Sequence, residues 1–127
     1  MAERPLSPHV TVYKWAYTMT LSILHRVSGI ALFAAFIVAV LWLVAAASGA
    51  AAYAQVMAIL AAPDVKALIG IALLALCYHF CNGIRHLAWD LGFGFERTSA
   101  RRSAVVVVVV TLLAAVAMIY ALFRVAA

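Results

Sequence analysis

Three long uncharged apolar stretches decide the solvent in which this chain can fold. They cover residues 27–47, 67–84 and 104–123. About 20 residues of helix, rising 1.5 Å per residue, cross the ~30 Å hydrocarbon core of a bilayer, and a helix satisfies its own backbone hydrogen bonds where water is absent. The chain of 127 residues is 69% hydrophobic and 10% charged. Because soluble domains are roughly a quarter charged, this composition excludes a water-soluble domain.

The stretches predict an all-α integral membrane protein with three transmembrane helices. We expect these helices at about residues 18–47, 64–90 and 103–124, in a single membrane-anchor domain over residues 1–127 whose N-terminal segment, residues 1–17, is cytoplasmic. Six valines at residues 105–110 are typical of a buried strand, but the apolar sequence continues to residue 123 and favours a helix. Residues 44–50 resemble a signal-peptide cleavage site, although the apolar run before them exceeds the usual length of about 7–15 residues.

The positive charges are distributed as topology signals. The nine lysines and arginines, which give a net charge of +5, occur in short clusters beside apolar stretches, so we predict no nucleic-acid partner. Lys66 and Arg124 lie on one side of the predicted membrane. The other side holds seven cations: Arg4, Lys14, Arg26, Arg85, Arg97, Arg101 and Arg102. By the positive-inside rule, the N-terminus and the loop between the second and third spans face the cytoplasm.

His79 is the residue that a membrane interior tolerates least. It lies six residues before Arg85, hence about 9 Å deeper along a helix. Gly83 and His86 follow at i+4 and i+7 and share its face, which Asp90 continues. Such a face suits a flat macrocycle, because an imidazole can ligate iron, a glycine permits close approach and a second histidine can meet a propionate. A hydrogen bond from His79 to a neighbouring helix is the alternative, and the spacing leaves both open.

A second polar group lies at the cytoplasmic end of the first span. Ser22, His25, Arg26 and Gly29 are spaced i, i+3, i+4 and i+7 and therefore share one helix face. The arginine can bind a propionate or donate to a carbonyl oxygen of a small ligand, and the serine can add a second hydrogen bond. The same residues also fit a simpler interpretation, in which Arg26 is a membrane-interface anchor and Ser22 a helix-start residue.

The two cysteines are expected to be reduced and to serve in packing. Cys77 and Cys81 lie one turn apart inside the second apolar stretch. Free cysteine favours burial, and a metal cluster would need further thiolates.

Three motifs in order resemble the cytochrome b556 membrane-anchor subunits of succinate dehydrogenase. They are RPLSPH at residues 4–9, SILHRVSG at residues 22–29 and YHFCNGIRHLAWDLG at residues 78–92. The resemblance covers essentially the whole chain and is strongest to the mitochondrial and related proteobacterial branch. Since no transit peptide is recognisable, we expect a multi-pass protein of the bacterial cytoplasmic (inner) membrane.

The resemblance implies an enzyme subunit that works only within a complex. It implies a flavoprotein subunit, an iron–sulfur subunit and a second membrane anchor as partners, with FAD and iron–sulfur clusters in the partner subunits only. The two anchors would share haem b and bind ubiquinone, passing electrons from succinate oxidation in the tricarboxylic acid cycle to the respiratory chain. His79 would be one axial ligand of the haem iron, and the second anchor would supply the other.

The remaining site residues follow from the same resemblance. Ser22 and Arg26 would border the ubiquinone pocket, and Asp90 is a further candidate for the pocket or its proton path. His25, Arg26 and His86 would contact the haem propionates. The composition also permits a non-redox membrane scaffold or a small transporter subunit, in which these polar residues only stabilise helix packing.

Overall fold

The computed structural model describes residues 15–125, with the side chains of residues 122, 123 and 125 left out. The motif at residues 4–9 and the cations Arg4 and Lys14 lie outside the described residues. The elements are α1 (Tyr17–Ser48), α2 (Ala50–Leu60), α3 (Pro63–Asp90) and α4 (Arg97–Val125). Over residues 15–125 all regular structure is helical. Three segments, Tyr17–Ser48, Pro63–Asp90 and Arg97–Ala121, are long and apolar enough to cross a membrane, which confirms the predicted fold class.

The short helix α2 was not predicted. Gly49 ends α1 with φ of 114°, a left-handed backbone conformation that favours glycine, and the chain turns there into α2. Helix α2 lies between the spanning helices α1 and α3 in the chain, and at 11 residues it is too short to span a bilayer itself. The third spanning helix begins at Arg97 instead of at residue 103, which brings Arg97, Arg101 and Arg102 into its first turns.

Helix α3 is central, since it packs against α1 on one side and α4 on the other. The apolar core is small and rich in small side chains: Leu21, Ala45, Ala104, Val107 and Ala115. Long aliphatic and aromatic side chains point outward along all three spanning helices. Close approach over small residues is how helices pack in lipid, where the outward side chains lose nothing by staying exposed.

Polar side chains join the helices near the C-terminal end of α3. The Tyr78 hydroxyl donates to the carbonyl oxygen of Leu21 at 2.6 Å, which fixes α3 to α1. Arg85 joins α3 to α4, because its Nε donates to Ser103 Oγ at 3.0 Å and its Nη2 to the carbonyl oxygen of Ala100 at 3.1 Å. The Tyr78 bond joins the two helices, α1 and α3, whose histidines face each other.

Candidate functional site

Three imidazole rings form one cluster between α1 and α3. The His25 ring stacks on the His79 ring, with 4.0 Å between centroids and 14° between planes. The centroids of the His25 and His86 rings are 5.0 Å apart, and the two ring planes are tilted by 32°. His25 therefore lies opposite Gly83, where an added Cβ would stand 3.7 Å from His25 Cε1. The two faces that the sequence predicted separately thus meet in the structure.

The Nδ1 atom of His79 is held by two groups of α1. It lies 3.0 Å from Ser28 Oγ and 3.1 Å from the carbonyl oxygen of His25. The Ser28 hydroxyl in turn donates to that same carbonyl oxygen at 2.8 Å. Ser28 is buried, at 7% exposure, so water does not compete for these bonds. Ser28 was not predicted as a site residue, although its position one turn after His25 indicates that it shares this helix face.

The atoms around His79 Nδ1 favour the tautomer in which this nitrogen carries the proton. A carbonyl oxygen accepts only, and the single hydroxyl proton of Ser28 points at it. If His79 Nδ1 carried a lone pair, that lone pair would face the His25 carbonyl oxygen at 3.1 Å without a proton between them. Nδ1 therefore carries the proton and donates to both oxygens, an assignment that rests on hydrogen-bond geometry. The Nε2 atom of His79 keeps its lone pair, the form in which imidazole ligates a metal.

Gly29 allows the His79 ring to approach the backbone of α1. A Cβ at Gly29 would stand 3.1 Å from His79 Cε1 and 3.7 Å from His79 Nδ1. The first distance is too short for an undisturbed contact. The position of the His79 ring therefore requires a glycine at residue 29. At Gly83 an added Cβ would make only an ordinary van der Waals contact.

Two ring nitrogens in the cluster are buried without a hydrogen-bond partner among residues 15–125. They are His25 Nδ1 and His86 Nε2. A buried polar atom without a partner is costly, so these nitrogens are available to a bound acceptor or donor. Together with the free lone pair of His79, they fit a group that carries a metal and has polar substituents at its edge.

A groove of about 400 Å³ opens beside the cluster at the same end of the bundle. Its polar walls include Ser22 and Arg26 of α1, both predicted from the sequence. Helix α3 adds Arg85 and Trp89, and the remaining lining residues are Thr18, Met19, Ile23 and Ala100. Asp90 is not part of this lining; it is exposed at the last position of α3.

Arg85 and Trp89 were not predicted as part of any site. From the sequence, Arg85 was predicted only to be one of the cations that set the topology, yet it is buried, with 5% exposure. Its guanidinium carbon lies 4.0 Å from the centre of the Trp89 ring, and Nη1 donates to Asn82 Oδ1 at 3.3 Å. The Trp89 ring meets His86 edge-on at 5.1 Å, so groove and cluster share a wall. The i, i+3 spacing of Asn82 and Arg85 was the available signal.

The cysteines are unbonded, and the cluster is not arranged as a site for a free ion. Cys77 and Cys81 are half-buried free thiols. Within residues 15–125 no three or more His, Cys, Asp or Glu side chains converge to hold a metal ion. The imidazoles stack side by side instead, so a metal held here by His79 would depend on ligands from outside this chain.

The fold and the cluster define a multi-pass helical membrane subunit with half-buried imidazoles at one end of its bundle. Residues 1–118 match the family of succinate dehydrogenase/fumarate reductase transmembrane subunits, and the chain belongs to this family. The succinate dehydrogenase cytochrome b556 subunit of Rickettsia prowazekii is 44% identical over 98 residues, 74% of this chain and 73% of that protein.

Eukaryotic relatives show the same likeness. The succinate dehydrogenase cytochrome b560 subunit of Marchantia polymorpha is 37% identical over 108 residues, which cover 81% of this chain and 79% of that protein. The mitochondrial cytochrome b560 subunit of Homo sapiens is 39% identical over 121 residues, 92% of this chain and 70% of that protein. The predicted family is confirmed, and with it the role of the chain as a membrane subunit of succinate dehydrogenase.

Proposed function

We propose that this chain binds haem b through His79 and forms part of a ubiquinone site at the groove. The observation that carries the proposal is the position of His79 Nδ1, 3.0 Å from Ser28 Oγ and 3.1 Å from the His25 carbonyl oxygen. Metal-ligating histidines characteristically donate their other ring nitrogen to a backbone carbonyl or a similar acceptor, which fixes tautomer and ring orientation. His79 Nδ1 lies beside two such acceptors, Ser28 Oγ and the His25 carbonyl oxygen, which leaves Nε2 for a metal.

The residues around His79 fit a haem better than a bare ion. The iron of a haem would need few ligands from protein, so His79 would supply one and we assign the other to the second membrane anchor. His25 and His86 would use their unpartnered nitrogens on the propionates, and Arg26 would add its positive charge. When bound, the haem would accept and return single electrons at this end of the bundle.

The groove suits the head group of a quinone. Ser22 and Arg26 line it on the side of α1, where they can hold one carbonyl oxygen between a hydroxyl and a guanidinium. As the quinone is reduced, negative charge develops on that oxygen, and Arg26 would stabilise it in an apolar surrounding. Asp90, exposed one turn beyond His86, is proposed to relay protons from the aqueous side.

The assembly proposed from these features is a membrane-bound succinate dehydrogenase. A flavoprotein with FAD and an iron–sulfur subunit would deliver electrons from succinate to the groove, and the second anchor would complete both sites. The groove lies at the end of the bundle that holds five of the seven cations within residues 15–125, which supports a cytoplasmic N-terminus and proton uptake from that side. The Rickettsia relative supports the bacterial cytoplasmic membrane as the location.

The haem assignment is tested with the complex expressed together with its partner subunits. We expect the dithionite-reduced minus oxidised spectrum of a b-type haem in the wild type, its loss or severe change in His79→Leu, and no change in His9→Leu. An unchanged spectrum in His79→Leu would move the ligand to His25 or His86. A wild-type complex without a dithionite-reducible b-type spectrum would favour the non-redox scaffold instead.

A further inference from the structure

We propose that Ser28 is a positioning residue for the iron ligand, and that its hydroxyl sets the reduction potential of the haem through His79. The inference rests on the proposed ligation of haem by His79. It concerns Ser28, which is neither a ligand nor a wall of the groove. Ser28 would act on the iron through the electron density and orientation of the imidazole that it touches.

The hydroxyl of Ser28 has a backbone acceptor within its own helix. A serine within a helix commonly donates to the carbonyl oxygen three or four residues earlier, and here Ser28 donates to His25 at 2.8 Å. The lone pairs on its oxygen are then left for the proton of His79 Nδ1, 3.0 Å away. Donation by the hydroxyl also polarises its oxygen and strengthens it as an acceptor. Ser28 therefore increases the negative character of the His79 ring.

The ring has little freedom to compensate if Ser28 is lost. Its Cε1 edge lies against the backbone at Gly29, and its face lies 4.0 Å from the His25 ring. The remaining acceptor, the His25 carbonyl oxygen at 3.1 Å, belongs to the backbone and stays in every variant. Replacing Ser28 thus removes one of the two acceptors of His79 Nδ1 and leaves the other contacts of the ring in place.

The sign of the effect follows from the charge of the iron. Hydrogen bonds accepted from the distal nitrogen of an imidazole make the ring a stronger donor, which stabilises the more highly charged ferric state. Loss of the Ser28 acceptor weakens this donation. The midpoint potential of the haem should therefore become more positive in Ser28→Ala.

The experiment compares three variants in the assembled complex. Ser28→Ala removes the hydroxyl, Ser28→Thr retains it, and Ser48→Ala removes a matched hydroxyl that donates to Val44 at 2.7 Å near the far end of α1. Haem content, the midpoint potential from redox titration and the ferric electron paramagnetic resonance g-values are measured. We expect full haem content throughout, with a positive shift and altered g-values in Ser28→Ala alone.

Two results would overturn the inference. One is a Ser28→Ala complex whose potential and g-values equal those of the wild type; the other is an equal shift in Ser28→Thr or Ser48→Ala, which would trace the effect to packing. If Ser28→Ala did not assemble, Ser28→Cys would be measured instead, since a thiol is a much weaker acceptor. Absence of haem from the wild type would contradict the proposed function itself. A haem that is present but keeps its midpoint potential and g-values in Ser28→Ala would contradict this inference alone.

Discussion

Tyr78 donates its hydroxyl proton to the carbonyl oxygen of Leu21 across 2.6 Å, one position before the histidine that faces α1. This bond ties the two helices that form the imidazole cluster. It also lies beside a weaker contact to the same oxygen, from Asn82 Nδ2 at 3.5 Å. The position of His79 relative to α1 thus depends on the residue before it as well as on its own contacts.

Tyr78→Phe should lower the stability of the haem-loaded complex modestly while leaving its spectrum intact. Interhelical hydrogen bonds in membranes contribute about 0.6 kcal/mol on average and up to ~1.7 kcal/mol. The measurement is the temperature at which the detergent-solubilised complex loses its haem absorbance. Tyr53→Phe, on the short helix α2, is the matched control. A wild-type transition temperature in Tyr78→Phe would show that the bond does not hold the helices together.

Arg85→Lys should be far more disruptive than its unchanged charge suggests. The guanidinium donates to Ser103 Oγ, Asn82 Oδ1 and the Ala100 carbonyl oxygen. An ammonium cannot reach all three with the same geometry, and each hydrogen bond to a buried charged group contributes about 1.5–3 kcal/mol. We expect a loss of about 2–3 kcal/mol, the equivalent of one such bond, in denaturant titrations followed by tryptophan fluorescence.

The control for that substitution is Arg102→Lys. Arg102 is exposed on α4, and the exchange leaves the number of cations on this side of the membrane unchanged. We expect no measurable destabilisation there. Equal effects of the two substitutions would show that Arg85 acts only as a topology signal, the role that its sequence position alone indicates.

Gly29→Ala should displace the His79 ring, whereas Gly70→Ala should not. The added Cβ at Gly29 would stand 3.1 Å from His79 Cε1, but at Gly70 nothing lies within 4 Å. At Gly70 the exchange should favour the helix, by up to about 1 kcal/mol. We expect a shifted haem spectrum or reduced haem content only in Gly29→Ala, measured per flavin in the purified complex. Normal haem in Gly29→Ala would mean that the ring and the backbone do not pack this closely.

The sequence was sufficient for the fold class because membrane helices are encoded by local composition. An uncharged stretch of about 20 residues can satisfy its backbone only as a helix in lipid, whatever its neighbours are. The helix periodicity also placed Gly83 and His86 on the face of His79. Helix α2 was not predicted because its alanine-rich sequence continues the composition of α1. Only the backbone turn at Gly49 separates the two helices.

The contacts between helices could not be read in the same way. The pairing of Ser28 with His79 joins residues 51 positions apart, and nothing local to either residue specifies it. Arg85 illustrates the same limit, since a positive charge near a membrane interface is ordinarily solvated. Its burial results from acceptors on α4 that become available only once α3 and α4 have packed.

Arg26→Ala and Ser22→Ala should separate two activities of the complex. Both side chains line the groove and are proposed to hold a quinone oxygen, so we expect succinate-dependent quinone reduction to fall about tenfold or more, as expected when one donor to a developing negative charge is removed. Oxidation of succinate by a soluble artificial acceptor, which bypasses the membrane anchors, should stay near the wild-type rate. Ser48→Ala, on the same helix outside the groove, should change neither activity. If both activities fell in parallel in Arg26→Ala, the arginine would be stabilising the assembly, and the groove would lose its assignment as a quinone site.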